Sequence, residues 1–109
     1  FGRPIGKNQA VQWMVADSAV EVHAARLMTH HLAWLVDSGQ YPIAQSSMVK
    51  LHNTEMVGRV ADRAVQVFGG MGLVSEGPVE WIYRWVRMLR VVEGTSEIQR
   101  VVIARSLGL

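Results

Sequence analysis

The residues best suited to chemistry lie in one stretch, VVEGTSEIQR, residues 91–100. Glu93 closes an apolar run and stands directly before Gly94 and a Thr-Ser helix start. A carboxylate between apolar residues and the positive end of a helix is suited to act as a general base. The N–H groups after Gly94 could also bind a phosphate or a carbonyl oxygen. The residue types leave a simpler alternative open, in which Glu93 only stabilises the helix start through its dipole.

Other common chemistries lack the residues that they need. The chain has no cysteine, which excludes a disulfide scaffold, a thiol nucleophile and Cys-ligated metals. Its four histidines show neither the His-Glu-x-x-His spacing nor the repeated Glu-x-x-His spacing of known metal sites. His52 and Glu55 have the second spacing only once and in the reverse order. We therefore predict no metal site. The stretch GGMG, residues 69–72, lacks the spacing and the preceding strand of a dinucleotide-binding loop, and as pure structure it predicts a helix C-cap and a tight turn.

Length and composition indicate one folded domain. The 109 residues are 50% hydrophobic and 18% charged, which supports one modest core and excludes a disordered chain. No apolar run approaches the roughly 20 residues of a membrane span, and no targeting segment opens the chain, so we expect neither. The net charge of +2 is too small to indicate nucleic-acid binding. The basic excess lies in residues 78–109 and favours a small anionic ligand or an acidic partner.

Helical periodicity accounts for most of the chain. No Gly or Pro interrupts residues 9–37, a second helix is predicted from Tyr41-Pro42 to Gly69-Gly70, and a third opens at Gly77-Pro78. A fourth is predicted over 96–106, where Ser96 and Gln99 have capping-box spacing. No segment alternates strictly, so the fold class is predicted to be all-α, an antiparallel up-and-down four-helix bundle. The predicted buried faces are Val11, Val15, Val22, Ala25, Leu32 and Val36 in the first helix, and Val57, Val60, Ala61, Ala64, Val65 and Phe68 in the second.

The third predicted helix carries two apolar faces. One contains Val79, Ile82, Tyr83, Val86 and Leu89, and the other contains Trp81, Trp85, Met88 and Val92. A surface helix of a small monomer needs only one such face. The second face therefore indicates contact with another chain or a further domain, unless a long neighbouring helix covers both.

At these residues the sequence resembles the acyl-CoA dehydrogenase family, specifically its C-terminal helical domain. The resemblance covers essentially the whole chain, with motifs in the right order at FGRPIGKNQAVQ, WMVADSAVEVHAARLM, VQVFGGMGLVSEGPVEWIYR and VVEGTSEIQRVVIAR. It implies that residues 1–109 are one C-terminal helical-bundle domain, a fragment without the N-terminal helical and middle β domains. In that family a glutamate removes the proton α to the thioester carbonyl of an acyl-CoA. A hydride passes from the β carbon to FAD, and the product is the trans-2-enoyl-CoA.

The resemblance also implies roles for individual residues. Glu93 matches the catalytic base, Gly94 the residue whose backbone helps to hold the thioester, and Arg105 an arginine near the coenzyme A moiety. The matches to FAD contacts form two sets: Thr95, Ser96 and Glu97 beside one flavin, and Asn8, Gln9, Gln66, Val67, Phe68, Gly69 and Gly70 on the adenosine diphosphate half of a neighbouring subunit's FAD.

The implied partners are an acyl-CoA substrate, an electron-transfer flavoprotein or similar acceptor, and further copies of the chain as a dimer or tetramer. The implied location is the cytoplasm of a bacterium or the mitochondrial matrix of a eukaryote. The 109 residues alone are expected to be inactive, because they lack two walls of the flavin site.

Two alternatives stay open: a helical oligomerisation module without activity, and an acyl-CoA oxidase or nitroalkane oxidase-like relative. Val92 stands where the family often has an aromatic residue, which leaves the substrate preference open.

Overall fold

The computed structural model describes residues 2–109, and within that range it contains helices and no strand. The predicted all-α class is confirmed. Phe1, the first residue of the FGRPIGKNQAVQ motif, lies outside the described residues. The four α-helices are α1 (Gln9–Asp37), α2 (Ile43–Phe68), α3 (Pro78–Met88) and α4 (Ser96–Ser106), and two short 3₁₀ helices span Ile5–Lys7 and Gly69–Gly72.

The ends of the helices follow the glycines and prolines of the sequence. After α1, Gly39 has a φ of +79°, a left-handed conformation that glycine adopts without a steric penalty. The prediction that Tyr41-Pro42 begins α2 is early, because Pro42 has a non-helical ψ of 66° and only caps the helix. The prediction that α3 reaches Val92 is also wrong. α3 ends at Met88 because residues 89–92 wind into turns that lead to the reversal at Glu93.

α2 is the central helix, since α1, α3 and α4 all pack against it. The buried apolar side chains are few and come from three helices: Ala25, Leu35, Met56, Ala61 and Val86. The predicted faces are therefore only partly right. Ala25 and Ala61 are buried, but Val15, Val36 and Phe68 are exposed. A helix of 29 residues that packs along a single neighbour buries only a narrow stripe, so residues at the margin of the periodic pattern stay in solvent.

The GGMG segment is the predicted helix C-cap and tight turn. Gly69 ends α2 with a φ of +57°, which favours glycine. Gly72 is buried, and a Cβ added to it would lie 2.9 Å from the carbonyl oxygen of Val65. The turn therefore folds back tightly onto the last turns of α2.

Charged side chains join α1 to α2. Glu21 accepts hydrogen bonds from Arg63 at 2.7 Å and from Arg59 at 3.1 Å. The hydrogen bond from Arg63 is the main reason why the pKa of Glu21 lies below its ordinary value of 4.5, although partial burial opposes that shift. Asn53 of α2 donates to the Thr29 hydroxyl at 2.9 Å, further along the same contact.

We expect Glu21→Gln to reduce the acid sensitivity of the protein. Because the folded-state pKa of Glu21 is lowered, the unfolded chain binds more protons in acid. The carboxylate therefore stabilises the fold fully above about pH 4.5, and this contribution is lost as the pH falls through the lowered pKa. At neutral pH the variant should be less stable by about 1 kcal/mol.

Thermal unfolding midpoints measured from neutral to acidic pH check this expectation, with Glu76→Gln, at an exposed loop carboxylate, as the control. The curves of Glu21→Gln and the parent protein should converge in acid. A constant difference at every pH would instead mean that the substitution acts through packing.

Candidate functional site

The turn between α3 and α4 contains two successive residues with left-handed backbone. Glu93 has a φ of +55° and Gly94 a φ of +87°. Among residues 2–109, Glu93 is the only residue other than glycine with a positive φ. This conformation costs an ordinary residue roughly 1–2 kcal/mol. Surrounding contacts must therefore hold the turn in place, and such strain is concentrated at functional sites.

Two side chains hold the carbonyl groups of this turn. The buried Gln99 donates through its amide nitrogen to the Glu93 carbonyl at 3.2 Å and to the Gly94 carbonyl at 3.3 Å. Lys50 of α2 donates its ammonium group to the same Gly94 carbonyl at 2.5 Å. A Cβ added to Gly94 would lie 2.8 Å from the Gln99 nitrogen. Glycine at position 94 thus meets two requirements, a positive φ and room for Gln99.

Glu55 ties the two ends of the loop to α2. Its carboxylate accepts a hydrogen bond from the Ser96 hydroxyl at 2.8 Å and lies 3.4 Å from the Arg90 Nε. The Ser96 backbone N–H donates in turn to the Arg90 carbonyl at 3.1 Å. The Arg90 guanidinium lies over Gly58, where a Cβ would collide with it. The loop is therefore held at two points of α2, Lys50 and Glu55, just over one helical turn apart.

The start of α4 differs from its prediction in one respect. The N-cap is Thr95, whose hydroxyl accepts from the Ile98 N–H at 3.4 Å, and not Ser96. Ser96 is already the first residue of the helix, and its buried hydroxyl donates to Glu55 instead. In the first turn, hydrogen bonds from the residue's own backbone N–H and from Thr95 hold the pKa of Glu97 below its ordinary value. The first turn of α4 therefore already carries a favourably placed carboxylate.

Glu93 is exposed, and so are Val91 and Val92, so the apolar run before Glu93 does not bury its carboxylate. α3 ends too early to cover them, and the left-handed turn carries Glu93 to the end of the bundle. There Glu93 lines an open cavity of about 670 Å³ together with Lys50, Gln99 and the segment 39–43. An exposed carboxylate on a fixed turn, with open space beside it, can accept a proton from a bound ligand.

The remaining predicted site residues fall into separate places. Thr95, Ser96 and Glu97 adjoin the turn, and they line a smaller depression with Arg90. Arg105 lies exposed in the last turn of α4 and does not line the cavity of Glu93. The second set lies away from this turn. At the far end of α2, Gln66, Phe68, Gly69 and Gly70 are exposed and Val67 is half-buried. At the start of α1, Asn8 and Gln9 are exposed.

The structure does not bring these two sets together. Lys50 and Phe68 are separated along α2 by about 27 Å, at about 1.5 Å per residue. Near Phe68, side chains of the first turns of α1, Met14 and Val15, line a shallow groove with Val67 and Phe68. The start of α1 and the end of α2 therefore lie at one end of the molecule, and Glu93 lies at the other.

Three residues of the site are absent from the sequence prediction as site residues: Lys50, Glu55 and Gln99. Gln99 has a local signal, its spacing from Ser96, but it bonds the carbonyls of the turn and not the helix start. Glu55 draws attention only through its spacing from His52, yet it bonds Ser96 and Arg90. Within residues 2–109, no three histidine or acidic side chains come together as metal ligands would.

Four helices and a strained turn define a helical domain with a carboxylate beside an open cavity. The family model of the acyl-CoA dehydrogenase C-terminal domain matches residues 1–108. The chain therefore belongs to the acyl-CoA dehydrogenase family. Within residues 2–109, none of the helices has both the length and the apolar character that crossing a bilayer requires.

The relatives that this chain matches are much longer than the chain itself. The chain is 44% identical to the (R)-benzylsuccinyl-CoA dehydrogenase of Thauera aromatica and 43% identical to the mitochondrial short-chain specific acyl-CoA dehydrogenase of Homo sapiens. Each match covers 98% of this chain but only 27% and 26% of those enzymes, respectively. A solved structure, the FAD complex of PigA, superposes with a TM-score of 0.94 at 33% identity, over 100% of this chain and 28% of that one. The chain thus spans about a quarter of the length of these relatives.

Proposed function

We propose that this chain is the C-terminal domain of an FAD-dependent acyl-CoA dehydrogenase, with Glu93 as the base that removes the α proton of an acyl-CoA thioester. The observation that carries this proposal is the strained turn itself. A helix-start role would not require a left-handed backbone at Glu93, because Thr95 already caps α4 and Glu97 already supplies a carboxylate in its first turn. A carboxylate held on a fixed turn beside open space suits proton abstraction.

In the proposed reaction, the Glu93 carboxylate takes the proton from the carbon next to the thioester carbonyl. The Gly94 backbone helps to hold the thioester, and Arg105 lies toward the coenzyme A moiety. FAD, when bound, supplies the acceptor for the hydride that leaves the β carbon, which gives the trans-2-enoyl-CoA. Lys50 and Gln99 keep the turn rigid, so that the carboxylate meets the α proton without first reorganising its backbone.

The residues proposed to contact FAD fit that group in part. Around Gly69 and Gly70 the surface is open, since a Cβ at either position would meet nothing within 4 Å. Ser96, in contrast, is buried and its hydroxyl donates to Glu55, so it would contact FAD only through its backbone. The separation of the two sets of residues by about 27 Å along α2 favours contacts with two different FAD molecules, one of them belonging to a neighbouring subunit.

We further propose an antiparallel up-and-down order of the four helices and assembly into a dimer or tetramer. The order is supported by the pairing of Glu21 with Arg63 and of Thr29 with Asn53, since partners that come later in α1 come earlier in α2. Assembly is supported by the tryptophans, because all four are more than half exposed: Trp13 62%, Trp34 60%, Trp81 52% and Trp85 51%. Exposed tryptophans in such number are typical of an interface.

The rest of the flavin site would come from an N-terminal helical domain and a middle β domain, so the 109 residues alone would be inactive. The electron acceptor would be an electron-transfer flavoprotein or a similar protein. The enzyme would act in the cytoplasm of a bacterium or in the mitochondrial matrix. An acyl-CoA oxidase is the alternative within the same fold.

Anaerobic addition of acyl-CoA thioesters to the full-length flavoprotein tests the proposal. We expect a thioester of suitable chain length to bleach the visible absorbance of FAD in a single turnover, and the corresponding free acid with coenzyme A to leave it unchanged. A panel of straight and branched thioesters that all fail to bleach FAD would contradict the proposal. Rapid reoxidation of the bleached enzyme by oxygen would favour the oxidase alternative.

A further inference from the structure

We infer that Lys50 is a positioning residue for Glu93, which acts by holding the Gly94 carbonyl and thereby the turn that directs the carboxylate. The inference rests on the proposed role of Glu93 as the base. Lys50 lies 43 positions before Glu93 in the sequence, on a different helix, and yet its ammonium group reaches the carbonyl of the next residue, Gly94.

The contact joins a rigid element to a strained one. Lys50 is half-buried in the second turn of the central helix α2, against which the other three helices pack. The carbonyl that it holds belongs to the second of two left-handed residues, and Glu93 is the first. A hydrogen bond from a charged donor is shorter and stronger than one between neutral groups. Lys50 is therefore well placed to keep the turn in its strained form.

The other contacts around the loop do not join Glu93 or Gly94 to α2. Glu55 holds Arg90 and Ser96, at the two ends of the loop, but neither of these contacts reaches Glu93 or Gly94. Gln99 does reach both carbonyls, but it lies on α4, the helix that follows the turn, and so moves with it. Among the side chains that bond Glu93 and Gly94, Lys50 alone comes from α2.

Lys50 also lines the open cavity of Glu93, while its ammonium group is bonded to the Gly94 carbonyl. The only other lysine, Lys7, is exposed in the first 3₁₀ helix and does not line this cavity. The chain thus offers a matched control for the loss of one lysine.

The first test measures FAD reduction in the full-length flavoprotein at saturating acyl-CoA. Lys50→Met should slow the reduction on the order of 10²-fold, because a displacement of about 1 Å at the reacting group has an effect of this size. The dissociation constant of the acyl-CoA should change little, since Lys50 orients the base and does not bind the thioester. Lys50→Arg, which keeps a long cationic donor, should restore most of the rate, and Lys7→Met should leave it unchanged.

The second test does not depend on catalysis. Amide hydrogen exchange of Ser96, whose N–H closes the loop onto the Arg90 carbonyl at 3.1 Å, should be faster in Lys50→Met than in the parent protein, and slow again in Lys50→Arg. If Lys50→Met does not fold, Lys50→Gln replaces it, because the shorter side chain keeps a donor that cannot reach Gly94. The inference would be overturned if Lys50→Arg reduced FAD at the same rate as Lys50→Met or Lys50→Gln and also showed the same amide exchange. If Glu93→Gln still reduces FAD, the proposed function fails, whereas the exchange result still reports on what Lys50 does to the turn.

Discussion

Glu93→Gln in the full-length flavoprotein should leave FAD bound but prevent its reduction by acyl-CoA. Gln keeps the volume of the side chain and its capacity for hydrogen bonding, but it cannot accept the proton. A positioned general base contributes about 10²–10⁴-fold to a rate, and we expect a loss at the upper end because no other carboxylate shares the cavity with Glu93. Anaerobic stopped-flow absorbance of the flavin measures the rate directly.

Glu76→Gln is the matched control, since Glu76 is an exposed carboxylate in the loop before α3. It should reduce FAD at the parent rate. Glu93→Gln should also change the free energy of unfolding only slightly, because α4 keeps its cap at Thr95 and its acidic first turn. Flavin bleaching at the parent rate in Glu93→Gln would end the assignment of Glu93 as the base and would return it to a role at the helix start.

The helices could be predicted because their ends are local. Gly39, Gly69 and Pro78 favour a helix end through their own backbone preferences, and the structure has a helix end next to each of them. The exposure of side chains could not be predicted in the same way. Val36 and Phe68 fit a helical period as well as Ala25 does, but burial depends on which neighbour a helix meets, and the pattern within one helix carries no information about that.

The residues of the site also differ in whether they could be predicted from the sequence. Glu93 and Gly94 stand in one recognisable motif, so their chemistry can be read from the sequence. Lys50 and Glu55 lie about 40 residues away on α2, and only the packing of α4 against α2 brings them to the turn. The left-handed backbone of Glu93 could not be predicted either, since the residue type alone disfavours it.

Gly94→Ala should destabilise the protein through two separate effects. The left-handed φ of +87° alone costs alanine roughly 1–2 kcal/mol. The new Cβ would also lie 2.8 Å from the Gln99 amide nitrogen and would displace it from the Glu93 and Gly94 carbonyls. The Gly94 carbonyl keeps its bond from Lys50, so only the Glu93 carbonyl is left without its donor, which adds about 1 kcal/mol. Chemical denaturation measures the sum, and FAD reduction should slow with it because the turn moves.

Gly39→Ala separates the two contributions. Gly39 has a similar φ of +79°, but a Cβ there would meet nothing within 4 Å, so this variant should show the backbone cost alone. Gly94→Ala should be clearly more destabilising than Gly39→Ala in the parent protein. In a Gln99→Ala background the collision is gone, and Gly94→Ala should then cost no more than Gly39→Ala. Equal costs of the two glycine substitutions in the parent protein would mean that Gln99 does not hold the turn.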